Sequence, residues 1–283
     1  MGRRNVHSKT SHPSKVDAAD QTLLGEAKAI TDAARQHSIH LRLLGAVAIH
    51  LRCGDRGQVT ERLNRLGGAG ALFSDLDFAA YGVERAKVRT LLEDRFGLTS
   101  NPQAMLFHGK DRLLYAHPSM GYDVDVFFDR LEFSHTIDLG RPGQGCLEED
   151  SPTLPLADLL LSKIQIHQIT EKDLKDVVLL LLENEPSPRD AARGIGMARI
   201  TETLAEDWGF WKDGTANLEA VRSASGRYGE AGLLQPAEVE RVSRHVATLL
   251  EAIEKAPKSR SWRRGERRLS GRQWWNDVES VVR

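Results

Sequence analysis

Cysteine is nearly absent from this chain of 283 residues, which contains only Cys53 and Cys146. The two lie far apart in the sequence, and neither belongs to a CxxC pair or stands at metal-ligand spacing from a histidine. The sequence therefore supports neither a disulfide framework nor a structural zinc site. Such cysteine usage is typical of a reducing compartment, and we predict a cytoplasmic location.

Long apolar runs are absent as well. The charged segment Met1–His7 is not followed by the apolar stretch of a signal peptide. No run approaches the roughly 20 apolar residues that a membrane-spanning helix needs. We therefore predict a soluble protein without a membrane partner.

An excess of one charge is also lacking, because 39 Lys and Arg balance 40 Asp and Glu to a formal net charge of -1. Residues 255–272 are an exception, with eight basic residues against Glu266 alone; Trp262 lies within this segment, and Trp274 and Trp275 follow just after it. This segment suits RNA phosphates and bases. The alternative, which we favour, is an arm whose tryptophans pack on the protein while its charges stay solvated.

Two short acidic segments carry most of the functional information: FSDLDF at residues 73–78 and YDVDVFF at residues 122–128. Successive strand side chains point to opposite faces, so Asp75 and Asp77 share a face. Asp123 and Asp125 repeat this arrangement. Clustered carboxylates at the edge of an apolar layer are costly unless a cation neutralises them.

A site for Mg²⁺ or Mn²⁺ would need several converging carboxylates on neighbouring strands. We assign Asp75, Asp77 and Asp125 as its ligands. Asp125 is preferred to Asp123 because valines flank it deeper in the strand, and Asp129 is interpreted as a strand-end residue. The alternative is an ordinary solvent-facing strand end.

A strand around residues 41–44 breaks at Gly45 and enters a helix, whose free backbone amides can receive phosphate. Gly45, Ala46 and Ser74 are therefore candidate contacts for a nucleoside triphosphate (NTP). Gly45 is equally explained by backbone freedom at the turn, and Ser74 by a local hydrogen bond. The sequence contains no GxxxxGK[ST] motif, which disfavours a P-loop enzyme.

Lys163 stands at helical spacing from Leu156, Leu159 and Leu160, so its stem lies on an apolar face. One interpretation is a lysine that extends its amine to solvent. The other is a positive charge that holds a triphosphate.

Two aspartates follow Lys163. The segment Thr170–Asp173 has the form of a capping box at a helix start, which explains Asp173 structurally. Asp176 lies one turn later and has no such explanation. Either aspartate can orient Lys163, bind a metal through water or serve as a base, with the helix cap preferred for Asp173.

The predicted fold class is α/β: a mixed sheet with flanking helices, followed by a helical C-terminal domain. We divide the chain into a flexible basic tail (1–18), an α/β domain (19–152), a helical domain (153–255) and a basic arm (256–283). Helices are predicted at 21–36, 83–96, 156–168, 171–184, 190–211, 218–225 and 236–255. Strands are predicted at 41–44, 73–78, 105–107, 113–115 and 123–128.

Three pieces of the chain, Leu44–Ala46, Asp75–Asp77 and Val124–Val126, resemble in kind and order the motifs of the DNA polymerase beta-like nucleotidyltransferase superfamily. The later segments Leu159–Gln165 and Lys172–Asp176 look like the lysine and aspartate motifs of the AbiEii/MenT-like nucleotidyltransferases, which include toxins of toxin–antitoxin systems. The resemblance covers roughly residues 38–184. Ala46 departs from it, since Gly or Ser is usual there.

The resemblance implies a nucleotidyltransferase-type sheet with Asp75, Asp77 and Asp125 as metal ligands. Gly45, Ala46, Ser74 and Lys163 would contact the triphosphate, and the catalytic set would be Asp75, Asp77, Asp125, Lys163 and Asp176. An acceptor hydroxyl would attack the α-phosphate of an NTP and release pyrophosphate.

The partners implied are an NTP, an acceptor and, for a toxin, a cognate antitoxin. The acceptor could be tRNA or another RNA, a protein, or a small molecule. An alternative is a catalytically silent module that only binds nucleotide or RNA. A metal-dependent nuclease is a further alternative, although the acidic-x-Lys element such enzymes carry on a strand is missing after Asp125.

Overall fold

The computed structural model describes residues 18–53, 57–66, 72–100, 112–149 and 151–277. The predicted basic tail, apart from Ala18, and the strand predicted at 105–107 lie outside these ranges.

Within the described ranges the main sheet has five strands: β1 Leu41–Leu44, β2 Asp75–Ala80, β3 Thr99–Ser100, β4 Arg112–Ala116 and β5 Asp123–Phe128. Their order is β1-β2-β5-β4-β3. Strands β2 and β5 run parallel, whereas the other neighbouring pairs run antiparallel. The predicted mixed sheet is therefore confirmed, with its first acidic strand beginning two residues later than predicted.

Alternation along β2 and β5 separates a buried face from an acidic face. Leu76, Phe78, Val124 and Val126 are fully buried on one face. Because strand side chains alternate, the aspartates of both strands point to the other face. Burial of the apolar residues on the first face fixes the strand register, since a slip by one residue would bury the acids.

The helices of the N-terminal half are α1 Ala18–Gln36, α2 Gly45–Cys53, α3 Gly57–Leu63 and α4 Arg85–Thr90. A 3₁₀ turn, Gly82–Glu84, precedes α4 and a π-helical turn, Leu91–Arg95, continues it. The helices predicted at 21–36 and 83–96 are thereby confirmed.

Beyond β5, a hairpin is formed by β6 Arg130–Glu132 and β7 Thr136–Asp138, and a short parallel pair by β8 Glu185–Ser187 and β9 Gly194–Gly196. The helices here are α5 Leu156–Ile164, α6 Glu171–Glu183, α7 Met197–Glu206, α8 Trp208–Glu230, α9 Pro236–Lys255 and α10 Arg260–Leu269.

Two helix predictions in this half have the wrong bounds. Residues 190–196 form a loop and β9 rather than the start of a helix, because the Asp190 carboxylate accepts hydrogen bonds from the amides of Ala157 (2.9 Å) and Gly196 (3.2 Å). The helix predicted at 218–225 is part of the 23-residue α8. Gly214 lies inside α8 and packs on Leu204, so it does not break the helix.

A single hydrophobic cluster extends from Leu23 to Ile253 and includes both sheet and helical residues. The domain boundary at residues 152–153 stays a prediction. Among the described ranges, no helix combines the length and apolar character needed to cross a membrane.

Candidate functional site

The four aspartates of the acidic strands lie side by side. In the parallel pair of β2 and β5, Asp75 is the register partner of Asp123, and Asp77 is the partner of Asp125. Neighbouring strands are about 4.8 Å apart, and in-register residues share a face of the sheet. The sequence placed each pair on one face of its strand, and the sheet now places both pairs on the same face.

Asp125 is the deepest of these acids, with only 5% of its surface exposed, whereas Asp75, Asp77 and Asp123 are partly exposed. Its Oδ2 lies 4.0 Å from Nη1 of Arg112 on β4. The guanidinium of Arg112 lies 5.8 Å from the centre of the Phe127 ring. The predicted greater depth of Asp125 is confirmed.

Sequence analysis missed Arg112. Strands β4 and β5 pair antiparallel with Arg112 opposite Phe127 and Leu114 opposite Asp125, which places Arg112 on the acidic face. Only the hairpin register reveals this placement.

Gly45 brings the strand-to-helix turn against the acidic strand. It has φ +71°, a left-handed backbone conformation that favours glycine, and directly follows Leu44, the register partner of Asp77. A Cβ built on Gly45 would lie 2.6 Å from Oδ2 of Asp77. This turn therefore needs glycine for two independent reasons, its backbone conformation and the close approach of Asp77.

Ala46 and Asp176 line one small cavity beneath this turn, together with Arg65 and Phe73. Helix α2, which carries Ala46, packs against α6, which carries Asp176. Ser74 is exposed immediately before β2. The fold thus brings the first glycine-containing motif close to the later aspartate motif.

Lys163 is largely buried, with 12% of its side chain exposed, and its amine lies between two carboxylates. Nζ is 2.8 Å from Oδ1 of Asp173 and 2.9 Å from Oδ2 of Asp176. Burial by itself lowers the pKa of Lys163, but the charges of Asp176 and Asp173 outweigh it and raise the pKa above its usual value. The interpretation as a lysine that extends to solvent is wrong.

Asp173 fulfils the predicted cap as well. The Thr170 side chain accepts a hydrogen bond from the Asp173 amide at 3.3 Å and donates its hydroxyl to the Asp173 carboxylate at 2.7 Å. Burial opposes ionisation, yet Lys163 and Thr170 hold the pKa of Asp173 below its usual value.

Asp176 has a structural partner that the sequence did not reveal. Its Oδ1 lies 2.7 Å from Nε of Arg65, and only 4% of its side chain is exposed. Arg65 is separated from Asp176 by 111 positions, so no local pattern indicates the pair. Asp176 therefore belongs to a buried network of Arg65, Lys163 and Asp173.

The acidic face offers hard oxygen donors, the ligand type that Mg²⁺ and Mn²⁺ prefer. Within the part of the chain that the structure describes, however, no three His, Cys, Asp or Glu side chains are arranged to hold a metal ion. The donor chemistry fits a divalent cation, and the convergence of a third carboxylate remains a proposal.

The C-terminal tryptophans are packing residues, as we favoured. Trp262 is 8% exposed and meets Trp211 edge to face. Trp274 donates its indole N–H to Asp213 at 3.1 Å, and Trp275 stacks on His167 with ring centres 3.5 Å apart.

Asp213 is the centre of this packing. Its carboxylate also lies 2.8 Å from Nε2 of His135 and 3.0 Å from Nδ1 of His167. Burial raises the pKa of Asp213, but hydrogen bonds from His135, Trp274 and His167 outweigh this and lower it below the usual value. Sequence analysis missed this cluster, because its members come from distant elements.

Comparisons with known proteins add no relative: no protein-family model, curated protein or solved structure matches this chain.

Proposed function

We propose that this protein is a metal-dependent nucleotidyltransferase that moves a nucleoside monophosphate from an NTP to an acceptor hydroxyl and releases pyrophosphate. The observation that carries the proposal is the in-register pairing of Asp75 with Asp123 and of Asp77 with Asp125, directly beside the Gly45 turn. Paired acidic strands next to a helix start combine the two requirements of the reaction, a divalent cation and a phosphate cradle.

In this proposal Asp75, Asp77 and Asp125 would hold Mg²⁺ or Mn²⁺, which would supply positive charge to the reacting phosphate oxygens. The turn at Gly45 and Ala46 presents the first amides of α2, and the exposed Ser74 presents its hydroxyl. These groups bind the triphosphate and orient its α-phosphate toward the acceptor.

The Lys163 amine stays protonated and so contributes a positive charge, because its carboxylate partners raise its pKa. To contact a triphosphate, its amine exchanges one carboxylate for phosphate oxygens. Asp176 positions the amine, and Arg65 holds Asp176 from the other side. Asp173 keeps its place in the capped first turn of α6 through its contact with Thr170.

Transfer of label from each of the four [α-³²P]NTPs tests this function. The purified protein is incubated with Mg²⁺ or Mn²⁺ and with total RNA or total protein from the native host. We expect one NTP to label one acceptor class, and Asp77→Asn to abolish the transfer. Asp32→Asn, at an exposed ion pair on α1, is the matched control and should retain it.

Absence of labelling with all four NTPs, or equal labelling by Asp77→Asn, would refute the proposal. A nuclease would instead shorten the RNA without incorporating label, so the same gels separate cutting from addition.

A catalytically silent nucleotide-binding module is a second candidate. Two observations favour it. The Lys163 amine is already bound to two carboxylates of the protein itself, those of Asp173 and Asp176. The described residues also contain no group of three side chains arranged to hold a metal ion. Tight NTP binding without turnover in the labelling assay would identify this case.

We extend the proposal to a toxin with a cognate antitoxin on one ground only: the segments around Lys163 and Asp176 resemble motifs of a nucleotidyltransferase family that includes toxins. Induced expression in the host tests it. Growth arrest by the unaltered protein but not by Asp77→Asn would support a toxin that acts through transfer.

A further inference from the structure

Six arginines near the C-terminus face solvent and have no carboxylate partner within the described ranges. They are Arg260, Arg263, Arg264, Arg267, Arg268 and Arg272, all exposed. Among the described residues, none of their side chains takes part in a hydrogen bond, an ion pair or a ring contact. Glu266 is the only acid within this stretch.

Several arginines elsewhere in the protein have acidic partners. Arg62 pairs with Glu238 at 2.8 Å, and Arg199 pairs with the buried Asp158 at 2.8 Å. Even the exposed Arg89 pairs with the glutamate one helical turn away. The six C-terminal arginines have no such partner among the described residues, and Glu266 is the one acid beside them in the sequence.

Two lysines of the basic segment recognised in the sequence make contacts within the protein. Lys255 pairs with Glu251 on α9. Lys258 donates to the carbonyls of Ile253 and Ala256 and so closes the end of α9. The exposed, solvent-facing charge of this segment therefore lies mainly on the arginines, since Lys255 is paired and the Lys258 amine is held against backbone carbonyls.

Five of the six arginines lie on α10 and form one face, which we call the arginine face: Arg260, Arg263, Arg264, Arg267 and Arg268. At 100° per residue they occupy an arc of about 140°, and at 1.5 Å per residue they span about 12 Å along the axis. Trp262 and Leu269 occupy the opposite side of the helix. The charges therefore form a continuous surface.

This surface is held in place by packing beneath it. Trp262 is buried, and its amide is capped by the Ser259 hydroxyl at 3.1 Å. The Ser259 amide in turn donates to the Ala205 carbonyl at 3.0 Å. Gly265 lies so close to Trp208 that a built Cβ would be 3.2 Å from the tryptophan Cβ. These contacts fix the position of the helix that carries the arginine face without the help of a partner.

We propose that the arginine face docks the phosphate backbone of an RNA acceptor. Guanidinium groups bind phosphate oxygens through two parallel hydrogen bonds, and a row of them neutralises several phosphates at once. The choice of RNA rests on the proposed function, since transfer needs an acceptor hydroxyl and RNA offers ribose hydroxyls beside a dense phosphate backbone.

The contacts favour backbone recognition over base stacking. Trp262, Trp274 and Trp275 already pack on protein side chains, so they do not form an open stacking platform. A membrane surface fits less well, because interfacial helices turn an apolar face toward the lipid. Here the apolar face of α10 turns inward through Trp262. We expect affinity for structured RNA with little sequence preference.

Fluorescence anisotropy with a labelled RNA hairpin tests this docking surface, in EDTA and without NTP, at several salt concentrations. The test variant replaces Arg263, Arg264, Arg267 and Arg268 by Gln. We expect it to bind RNA about tenfold more weakly or worse. Its salt dependence should also be shallower, because each lost phosphate contact removes roughly 0.7–0.9 from the logarithmic slope.

The matched control replaces four exposed arginines elsewhere, Arg35, Arg89, Arg130 and Arg222, by Gln. It loses the same four charges, so an equal loss of affinity in both variants would contradict a local docking surface. The quadruple Arg→Lys variant of the arginine face keeps the charge and should retain most of the affinity and the salt slope. Circular dichroism melting verifies that all three variants remain folded.

Tighter binding to duplex DNA of the same sequence, to polyglutamate or to phosphatidylserine vesicles would contradict the assignment to RNA. Unchanged RNA affinity in the test variant would also overturn it. Because the assay contains neither metal nor NTP, it is independent of catalysis. RNA binding without nucleotide transfer would refute the proposed function alone, and transfer without binding at α10 would refute this surface alone.

Discussion

At the residue scale, Gly45 is the position where fold and proposed chemistry depend on the same atoms. Its left-handed φ of +71° and the 2.6 Å distance from a built Cβ to Asp77 Oδ2 are separate constraints. The first concerns the backbone of the turn, and the second concerns the carboxylate proposed as a metal ligand. Substitutions can therefore distinguish the two.

Gly45→Ala should destabilise the protein by about 1–2 kcal/mol through its backbone conformation alone, and further through displacement of the Asp77 carboxylate. Gly97→Ala is the matched control, because Gly97 has φ +64° but no atom within 4 Å of a built Cβ. Urea unfolding of both variants measures the difference. Equal destabilisation would show that the contact with Asp77 costs nothing.

Lys163→Met should destabilise the protein, because it leaves Asp173 and Asp176 without the amine between them. Removing one partner of a buried ion pair typically costs about 3–5 kcal/mol, and we expect the lower end since Arg65 still contacts Asp176. Urea unfolding against the exposed Lys172→Met checks this, and equal stability of the two variants would contradict the network.

NTP affinity separates the roles of Lys163 further. If its amine binds triphosphate, Lys163→Met should weaken NTP binding by about 1.5–3 kcal/mol, the scale of a charged hydrogen bond. A folded variant with unchanged NTP affinity would leave Lys163 a structural residue.

At the element scale, the local signals in the sequence are reliable and the long-range ones are missing. Helix α9 has the predicted bounds, and the structure shows the local features that start it: Pro236 in the first turn and a capping box of Gln235 and Glu238. Residues 190–196 were wrongly predicted as helix. Their loop and strand conformation depends on the hydrogen bond between Asp190 and the start of α5. No local pattern encodes that contact.

Asp213 holds the C-terminal segment after α10 against the protein through the hydrogen bond from Trp274. The stability that this contact contributes should depend on pH. The folded-state pKa of Asp213 lies below its usual value of 3.8, so its stabilising effect is present above that pH and is lost as pH falls through the lower, folded-state pKa. Asp213→Asn should therefore lower the melting temperature at neutral pH, with a difference that shrinks in acid below pH 3.8.

Thermal melts between pH 2 and 7 measure this difference, with Asp32→Asn as an exposed control. A difference that is constant across this range would exclude Asp213 as the titrating group.

At the scale of the whole molecule, the candidate site combines predictable and unpredictable parts. Alternation within each strand is local, so it placed Asp75 with Asp77 and Asp123 with Asp125. The parallel register that joins the two pairs is a property of the assembled sheet. Arg65 and Arg112 reach the site only through long-range contacts, which is why the sequence did not reveal them.

In the proposed function, the paired acidic strands bind an NTP together with a divalent cation. Ligands that bind only the folded state raise its stability, by about 2.7 kcal/mol at a concentration 100-fold above Kd. The most direct measurement is the melting temperature with and without Mg²⁺ and each NTP, for the unaltered protein, Asp77→Asn and Asp32→Asn.

Joint binding of NTP and cation predicts a rise that requires both metal and NTP in the unaltered protein and in Asp32→Asn. It predicts no rise in Asp77→Asn, whose melting temperature without ligand should be unchanged or higher because repulsion among the aspartates is reduced. An equal rise in Asp77→Asn, or a loss of its stability without ligand, would contradict the claim and make Asp77 a structural residue.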